Sequence, residues 1–269
     1  MAQTQKTRSS TPKGGRYTIP NLKKAFEVLE VLSDFNGATF PRLLENIQCN
    51  KTSLFRILCT LEEAGYLRKN PETDAYCVSR KILKIANSAL CEPNIAKESM
   101  DVLRSLRDGT SETVMLGVPL GGECVMIAQE PGLYSFNFTG RLGMTSPMHA
   151  SAPGKALLAA LPPCERRQAV ASLTLGKFAA NTITDAGALL EELDGISARG
   201  YATDSSEAVD GVNCVAAAVF GETGRPAATI WITGPAGRIA PSEFGRIGAM
   251  LVKSAGEISS RLGFRGSPL

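Results

Sequence analysis

The sequence predicts an α+β chain of two domains. A small basic head of three helices and a β-hairpin, a winged helix-turn-helix, is joined by a linker helix to a larger α/β body on a largely antiparallel sheet. Three observations lead there. The 269 residues suit two domains of about 100–200 residues each. Apolar residues between Leu22 and Leu61 recur at helical spacing, whereas from Thr113 onward strand-length runs are joined by tight turns. Residues 1–90 hold 14 Lys and Arg against 8 Asp and Glu, a balance of +6, which leaves 15 against 18, or −3, in the remainder. A basic head on a slightly acidic body suggests polyanion binding by the head and a separate task for the body.

Composition narrows the classes. With 43% hydrophobic and 20% charged residues, the chain can bury proper cores and is neither disordered nor fibrous. No apolar run approaches the roughly 18 residues of a membrane span, and the N-terminus lacks a signal-peptide core, so a cytoplasmic location without a membrane partner is expected. Seven cysteines without a C-x-x-C pair suit a reducing compartment, and one histidine, His149, is too few for a Cys/His zinc site. Neither metal nor cofactor is expected.

Residues 1–18, with Lys6, Arg8, Lys13 and Arg16 and no acid, read as a flexible basic tail. The head spans 19–79. Leu22, Ala25, Phe26, Leu29 and Leu32 form one stripe of a helix ending near Asn36-Gly37. Thr39 can cap a short second helix carrying Leu43, Leu44 and Ile47, with Pro41 tolerated in its first turn. Asn50 caps a third, on which Leu54, Ile57, Leu58 and Leu61 share a face and which Gly65 stops. Tyr66–Lys69 and Ala75–Val78 read as strands joined by residues 70–74. Ile82, Ile85, Ala86 and Ala89 form a linker helix over 80–93, closed by Pro93, with a stripe suited to pairing subunits.

The body, 94–265, opens with a helix from Ile95 through Leu106. Strands follow at Thr113–Val118 and Glu123–Gln129, with an extended segment near Tyr134–Thr139. Helices are expected at Ala152–Leu161, Glu165–Ser172 and Ala186–Arg199, the last stopped by Gly200. Strands Val212–Phe220 and Ala227–Thr233, joined by Gly221-Glu222-Thr223-Gly224-Arg225, precede a final helix from about Pro241 to Leu262. Adjacent strands and tight turns favour antiparallel pairing over a doubly wound sheet.

In a helix-turn-helix, the third helix buries one face and offers the other to base edges and phosphates. At 100° per residue, the face opposite Leu54, Ile57, Leu58 and Leu61 carries Thr52, Arg56 and Cys59, flanked by Ser53, Phe55 and Thr60. Arg56 can donate to guanine or phosphate, Lys51, Thr52 and Ser53 suit phosphate at the helix start, and Phe55 can touch a thymine methyl. Arg68 and Lys69 at the wing would reach the flanking backbone.

The run Asn50-Lys51-Thr52-Ser53-Leu54-Phe55-Arg56-Ile57-Leu58, continuing Thr60-Leu61-Glu62-Glu63-Ala64-Gly65-Tyr66-Leu67, resembles the recognition helix and wing of the IclR family of bacterial transcription regulators. Met148-His149-Ala150-Ser151-Ala152-Pro153-Gly154-Lys155-Ala156 is similar to that family's body motif. Asn181–Thr184, Arg199–Asp204, Gly211–Ala217 and Ile232–Pro235 follow in the family's order, so the resemblance covers about residues 20 to 262. It departs at Phe55, where the family usually writes His or Tyr, and at Ala75–Ser79.

Read from its residues alone, the body suits a small, anionic ligand. Ser151 can cap a helix beginning Ala152-Pro153-Gly154-Lys155, and free N–H groups beside a lysine attract a carboxylate. Asp204 would then accept from a ligand hydroxyl or be protonated. The resemblance implies a GAF-like effector domain whose ligand is held by two consecutive backbone N–H groups, here Ala152 and Pro153, with Asp204, Cys214, and two strand residues, here Trp231 and Thr233. Phe138 and Val212 would line its apolar side. Pro153 has no N–H and Trp231 replaces a small hydroxyl, which predicts a ligand larger or more aromatic than a two- or three-carbon oxo-acid. Taken singly, each residue also has a plainer role: Cys214 as a small hydrophobe, His149 as structural, Trp231 as core, Lys155 as surface.

The resemblance implies a regulator that binds a pseudo-palindromic double-stranded operator as a homodimer or dimer of dimers and answers to a carboxylic or aromatic metabolite. A ligand-independent DNA-binding protein with a degenerate sensor is one alternative. An enzyme using Cys214 or Cys124 with His149 is another, although no nucleophile elbow, P-loop or dinucleotide fingerprint is present.

Overall fold

A computed structural model of the chain describes residues 18–89 and 95–266. The expected basic tail, up to Tyr17, and the stop at Pro93 lie outside these residues. The chain divides into two compact units, one through Cys91 and one from Glu92.

The first unit contains α1 (Pro20–Asp34), α2 (Phe40–Asn46), α3 (Lys51–Glu63), β1 (Leu67–Lys69), β2 (Tyr76–Val78) and α4 (Ile82–Ala89). Of the stripe expected on α1, Leu32 is buried and Ala25 and Leu29 are partly so, but Leu22 and Phe26 are exposed because Val28 takes the core position. The core joins Val28 and Leu32 to Leu43, Leu54, Leu58, Leu67 and Tyr76. The turn after α1 requires left-handed backbone, supplied by Asn36 and by Gly37 at φ +113°. It is stitched to the wing, where Ala38 and Tyr76 exchange backbone hydrogen bonds of 3.0 and 2.9 Å. Asn50 caps α3, its Oδ1 accepting from the Ser53 N–H at 2.8 Å. Thr39 stands at the N-cap of α2, but its side chain makes no capping bond.

The second unit is built on six strands in the order β5-β4-β3-β8-β7-β6, all neighbours antiparallel. The strands are β3 (Thr113–Leu120), β4 (Glu123–Glu130), β5 (Thr145–Pro147), β6 (Ala202–Ser205), β7 (Val212–Phe220) and β8 (Pro226–Pro235). The helices are α5 (Ile95–Thr110), α6 (Ala152–Ala159), α7 (Pro163–Ser172), α8 (Ala186–Arg199) and α9 (Phe244–Arg261). Alternation along β7 and β8 sorts the side chains onto two faces. Val215, Ala217, Ile230 and Ile232 pack with α5 and α9, whereas Cys214, Ala216 and Trp231 pack with α6 and α8.

The extended segment expected near Tyr134–Thr139 is not a strand. It belongs to a loop held by side chains: Gln129 Nε2 donates to the Gly140 carbonyl at 2.7 Å while its Oε1 accepts from the Gly140 N–H at 3.0 Å, and Arg238 donates to the Phe136 carbonyl at 3.0 Å. Those bonds satisfy the backbone without a ladder. The sheet instead gains β5 and β6 at its edges. Among the described residues no helix is long and apolar enough to cross a membrane, and no group of three or more His, Cys, Asp or Glu side chains can hold a metal ion.

Candidate functional site

On the first unit, α3 buries Leu54, Ile57 and Leu58 and leaves Lys51, Thr52, Phe55, Arg56, Cys59 and Thr60 exposed. Ser53 is half-buried, its N–H committed to the Asn50 cap. Phe55 is 56% exposed. It borders a cleft of about 360 Å³ with Thr39, Phe40 and Pro41 from the start of α2 and Lys69, Asp74 and Tyr76 from the wing. Arg68 and Lys69 are consecutive on β1 and so point to opposite faces. Lys69 alone faces the cleft. Its ammonium is already paired with Asp74 at 2.8 Å and lies 5.6 Å from the Tyr76 ring centre. The bond to Asp74 raises the lysine's pKa and holds its charge.

On the second unit, Asp204, Cys214 and Thr233 are register partners across β6, β7 and β8, and Thr113 of β3 continues the row. Asp204 is 2% exposed. Its Oδ1 accepts from the Glu207 N–H at 2.7 Å. Burial pushes its carboxyl up to about 7, with the Glu207 carboxylate adding to the rise and the Lys155 ammonium opposing it. Cys214 donates through Sγ to Thr233 Oγ1 at 3.2 Å. Trp231, two residues before Thr233 on the same face, is 4% exposed. Its ring passes Gly117, where a Cβ would stand 3.0 Å from Cζ3, and its row neighbour on β7 is Ala216. Among the described residues nothing accepts a hydrogen bond from its Nε1.

The start of α6 packs on this face. Ser151 caps the helix, accepting from the Gly154 N–H at 3.2 Å and donating to the Pro147 carbonyl at 2.7 Å. Gly154 permits the turn to close: a Cβ there would stand 2.4 Å from Met148 Cα and 2.6 Å from the Met148 carbonyl. The Ala152 N–H makes no hydrogen bond among the described residues, which leaves one donor beside the proline. Val212 is half-buried in the same cluster. Phe138 is not in that cluster: it is half-buried in the loop after β4, its ring 5.6 Å from Phe136.

Two sequence readings change here. Lys155 is neither surface nor a free cation for a ligand, because it is 1% exposed and both Glu207 oxygens lie 2.7 Å from its Nζ. Glu207 was not singled out in the sequence. Its signal was weak, an acid three residues after Asp204 that reads as ordinary turn polarity until the fold brings the α6 lysine to it. His149 has a structural role: its Nε2 meets the Gly176 carbonyl at 2.8 Å and its ring packs 5.7 Å from Phe178. Burial pushes the Cys124 thiol up to about 12 and raises Cys214 as well. Neither thiol is a ready nucleophile.

Comparison with known proteins matches both units. The family described as "IclR helix-turn-helix domain" matches residues 21–71, and "Bacterial transcriptional regulator IclR C-terminal" matches residues 87–260. The chain is 28% identical over 241 residues to the HTH-type transcriptional regulator BhcR of Paracoccus denitrificans, covering 90% of this chain and 86% of that one. It is 29% identical over 245 residues to the HTH-type transcriptional repressor AllR of Klebsiella pneumoniae, covering 91% and 90%. The crystal structure of the Thermotoga maritima IclR superposes with a TM-score of 0.71 at 30% identity, over 91% of this chain and 99% of that one.

Proposed function

Because the chain belongs to the IclR family of bacterial transcriptional regulators, a family of DNA-binding proteins rather than enzymes, we propose that it is a cytoplasmic regulator that reads a pseudo-palindromic operator and senses a small organic effector. The reading of the head rests on α3, whose exposed Lys51, Thr52, Arg56 and Phe55 form a face suited to a major groove. Arg68, exposed on the wing, reaches a flanking phosphate, whereas Lys69 is held by Asp74. Ile19, Leu22 and Phe26 on the outer face of α1, and Leu83 and Ile85 on α4, are exposed apolar residues. We assign them to pairing of two copies, as a two-fold operator requires.

The observation that carries the sensing role is the buried row Asp204–Cys214–Thr233 beneath the unbonded Ala152 N–H. Lys155 is neutralised by Glu207, and Pro153 removes one donor, so the site holds an anion less well than a helix start with two N–H groups and a free lysine. Trp231 Nε1 supplies a replacement donor and its ring a stacking face. The effector is accordingly an aromatic or otherwise bulky molecule with a hydroxyl for Asp204 and an oxygen for Ala152 and Trp231. Val212 lines its apolar side.

A thermal-shift panel of small carboxylic and aromatic compounds tests this. A ligand at a hundred times its Kd adds about 2.7 kcal/mol of stability. A hit lost on both Asp204→Ala and Trp231→Ala and able to change operator binding in a gel shift supports the site. Tight binding of oxo-acids of two or three carbons alone counts against it. Sequence-independent DNA binding with no hit favours the ligand-independent alternative.

A further inference from the structure

β6 stops pairing at Ala202, opposite Ala216, because the chain enters from α8 through Gly200 in a left-handed turn at φ +82°. Beyond Ala216 that edge of β7 has no neighbouring strand. The Phe220 N–H on the open edge is taken by Ser259 Oγ at 2.9 Å. The Ala218 N–H, on the same edge by the alternation of the strand, makes no hydrogen bond among the described residues. A cavity of about 330 Å³ opens beside it. It stays open because its wall is written in small residues, Ala159 at the end of α6, Ala218 on β7, and Ala255 with Gly256 on α9. At one end the Phe220 and Phe264 rings stack at 5.2 Å and 25°. Lys253 on the rim forms no ion pair among the described residues, whereas Glu257 beside it is committed to Arg261 at 2.6 Å.

We propose that this groove, at the opposite end of α6 and of β7 from Asp204, is a second ligand site that takes an aromatic carboxylate of one or two fused rings. The volume lies at the small end of the range of about 300–1,000 Å³ for ligand pockets, too little for a nucleotide. A flat apolar body lies against the phenyl pair and the alanines. The carboxylate accepts from the Ala218 N–H and the Lys253 ammonium, the unspent donors of the wall. An amine is disfavoured, because the acid at the rim already has its partner.

Titration calorimetry of the full chain with 2-naphthoate tests the assignment. Binding by the unaltered protein is expected, with affinity lowered about tenfold or more by Lys253→Glu, as loss of a charge-assisted bond predicts. Ala218→Phe fills the groove and should abolish binding, its fold being checked by circular dichroism. Lys253→Glu changes an exposed side chain and keeps the test decisive if Ala218→Phe does not fold. Absence of binding by the unaltered protein at millimolar naphthoate overturns the proposal. Binding that survives Lys253→Glu undiminished and disappears with Asp204→Asn also overturns it, and places naphthoate at the Asp204 row instead. Equal affinity for hexanoate would remove the aromatic assignment.

Discussion

Removing Glu207 leaves the buried Lys155 ammonium with only the more distant Glu192 carboxylate, 3.9 Å away, to compensate it, and removing Lys155 leaves Glu207 without its cation. Glu207→Gln should therefore lower stability by about 3–5 kcal/mol, read as a fall in Tm, while the double change Lys155→Met with Glu207→Leu should restore most of it. No fall in Glu207→Gln would mean that Glu192, 3.9 Å from the ammonium, takes over the pairing. Asp204 makes a second, pH-dependent contribution. Its carboxyl is raised from 3.8 to about 7 in the fold, so between those values the folded chain holds a proton that the unfolded chain releases. The stability tied to this proton is fully present below pH 4 and is lost as pH rises through 7. Glu207 is raised too and acts in the same sense. Tm should fall between about pH 4 and 7 and level above 7, and fall less in Asp204→Asn; equal slopes would exclude Asp204 as the source. On the head, Lys69 is spent on Asp74 at 2.8 Å. Asp74→Ala releases it, so operator affinity should rise several-fold and the slope of log K against log salt should steepen by about 0.9, one more phosphate contact. An unchanged slope would show that Lys69 does not touch DNA.

At the scale of elements, what periodicity and caps encode was legible and what distant contacts decide was not. The stripe of α3, the extent of α1 and of the last helix, the Asn50 cap and the hairpin between β7 and β8 are local signals that follow from the residues themselves. The α1 face that is buried, in contrast, centres on Val28 and leaves Leu22 and Phe26 exposed. β5 and β6 are 3 and 4 residues long, and each exists because a longer strand beside it offers a ladder edge. The burial of Lys155 was hidden for the same reason. α6 is buried along its whole length, so its one lysine needs an acid brought from 52 residues away, which no local pattern reports. Asp204, Cys214 and Thr233, which the sequence singles out, lie in one row, whereas Phe138 lies in a loop outside the cluster around Cys214. The close approach at Gly154 gives the element its own test. A methyl group there meets backbone at 2.4 Å, so Gly154→Ala must shift the start of α6 and should destabilise by about 1–3 kcal/mol. Effector affinity should fall with it, because the Ala152 N–H moves; calorimetry showing full affinity would detach that N–H from the ligand.

The chain joins an IclR helix-turn-helix unit and an IclR C-terminal unit, and the two-fold pairing proposed above is what would make the first specific. One winged helix offers a few base contacts, and doubling it over two half-sites adds its binding free energy nearly twice, less the cost of bringing two heads together. That cost is met in advance if the chains are already paired. Leu22 and Phe26 are exposed neighbours at i and i+4 on α1, with Ile19 at its N-cap exposed beside them, and their face adjoins the one that buries Val28 and Leu32. Leu22→Asp with Phe26→Asp puts two like charges on that face without touching the core, so the fold should persist while pairing of the heads weakens. Sedimentation should then show a smaller species, and affinity for a two-half-site operator should approach that for a single half-site, with the salt slope roughly halved as the count of phosphate contacts halves. A variant that stays paired and binds with the full slope would move the assembly contact to the second unit, and the apolar face of α1 would need a different partner.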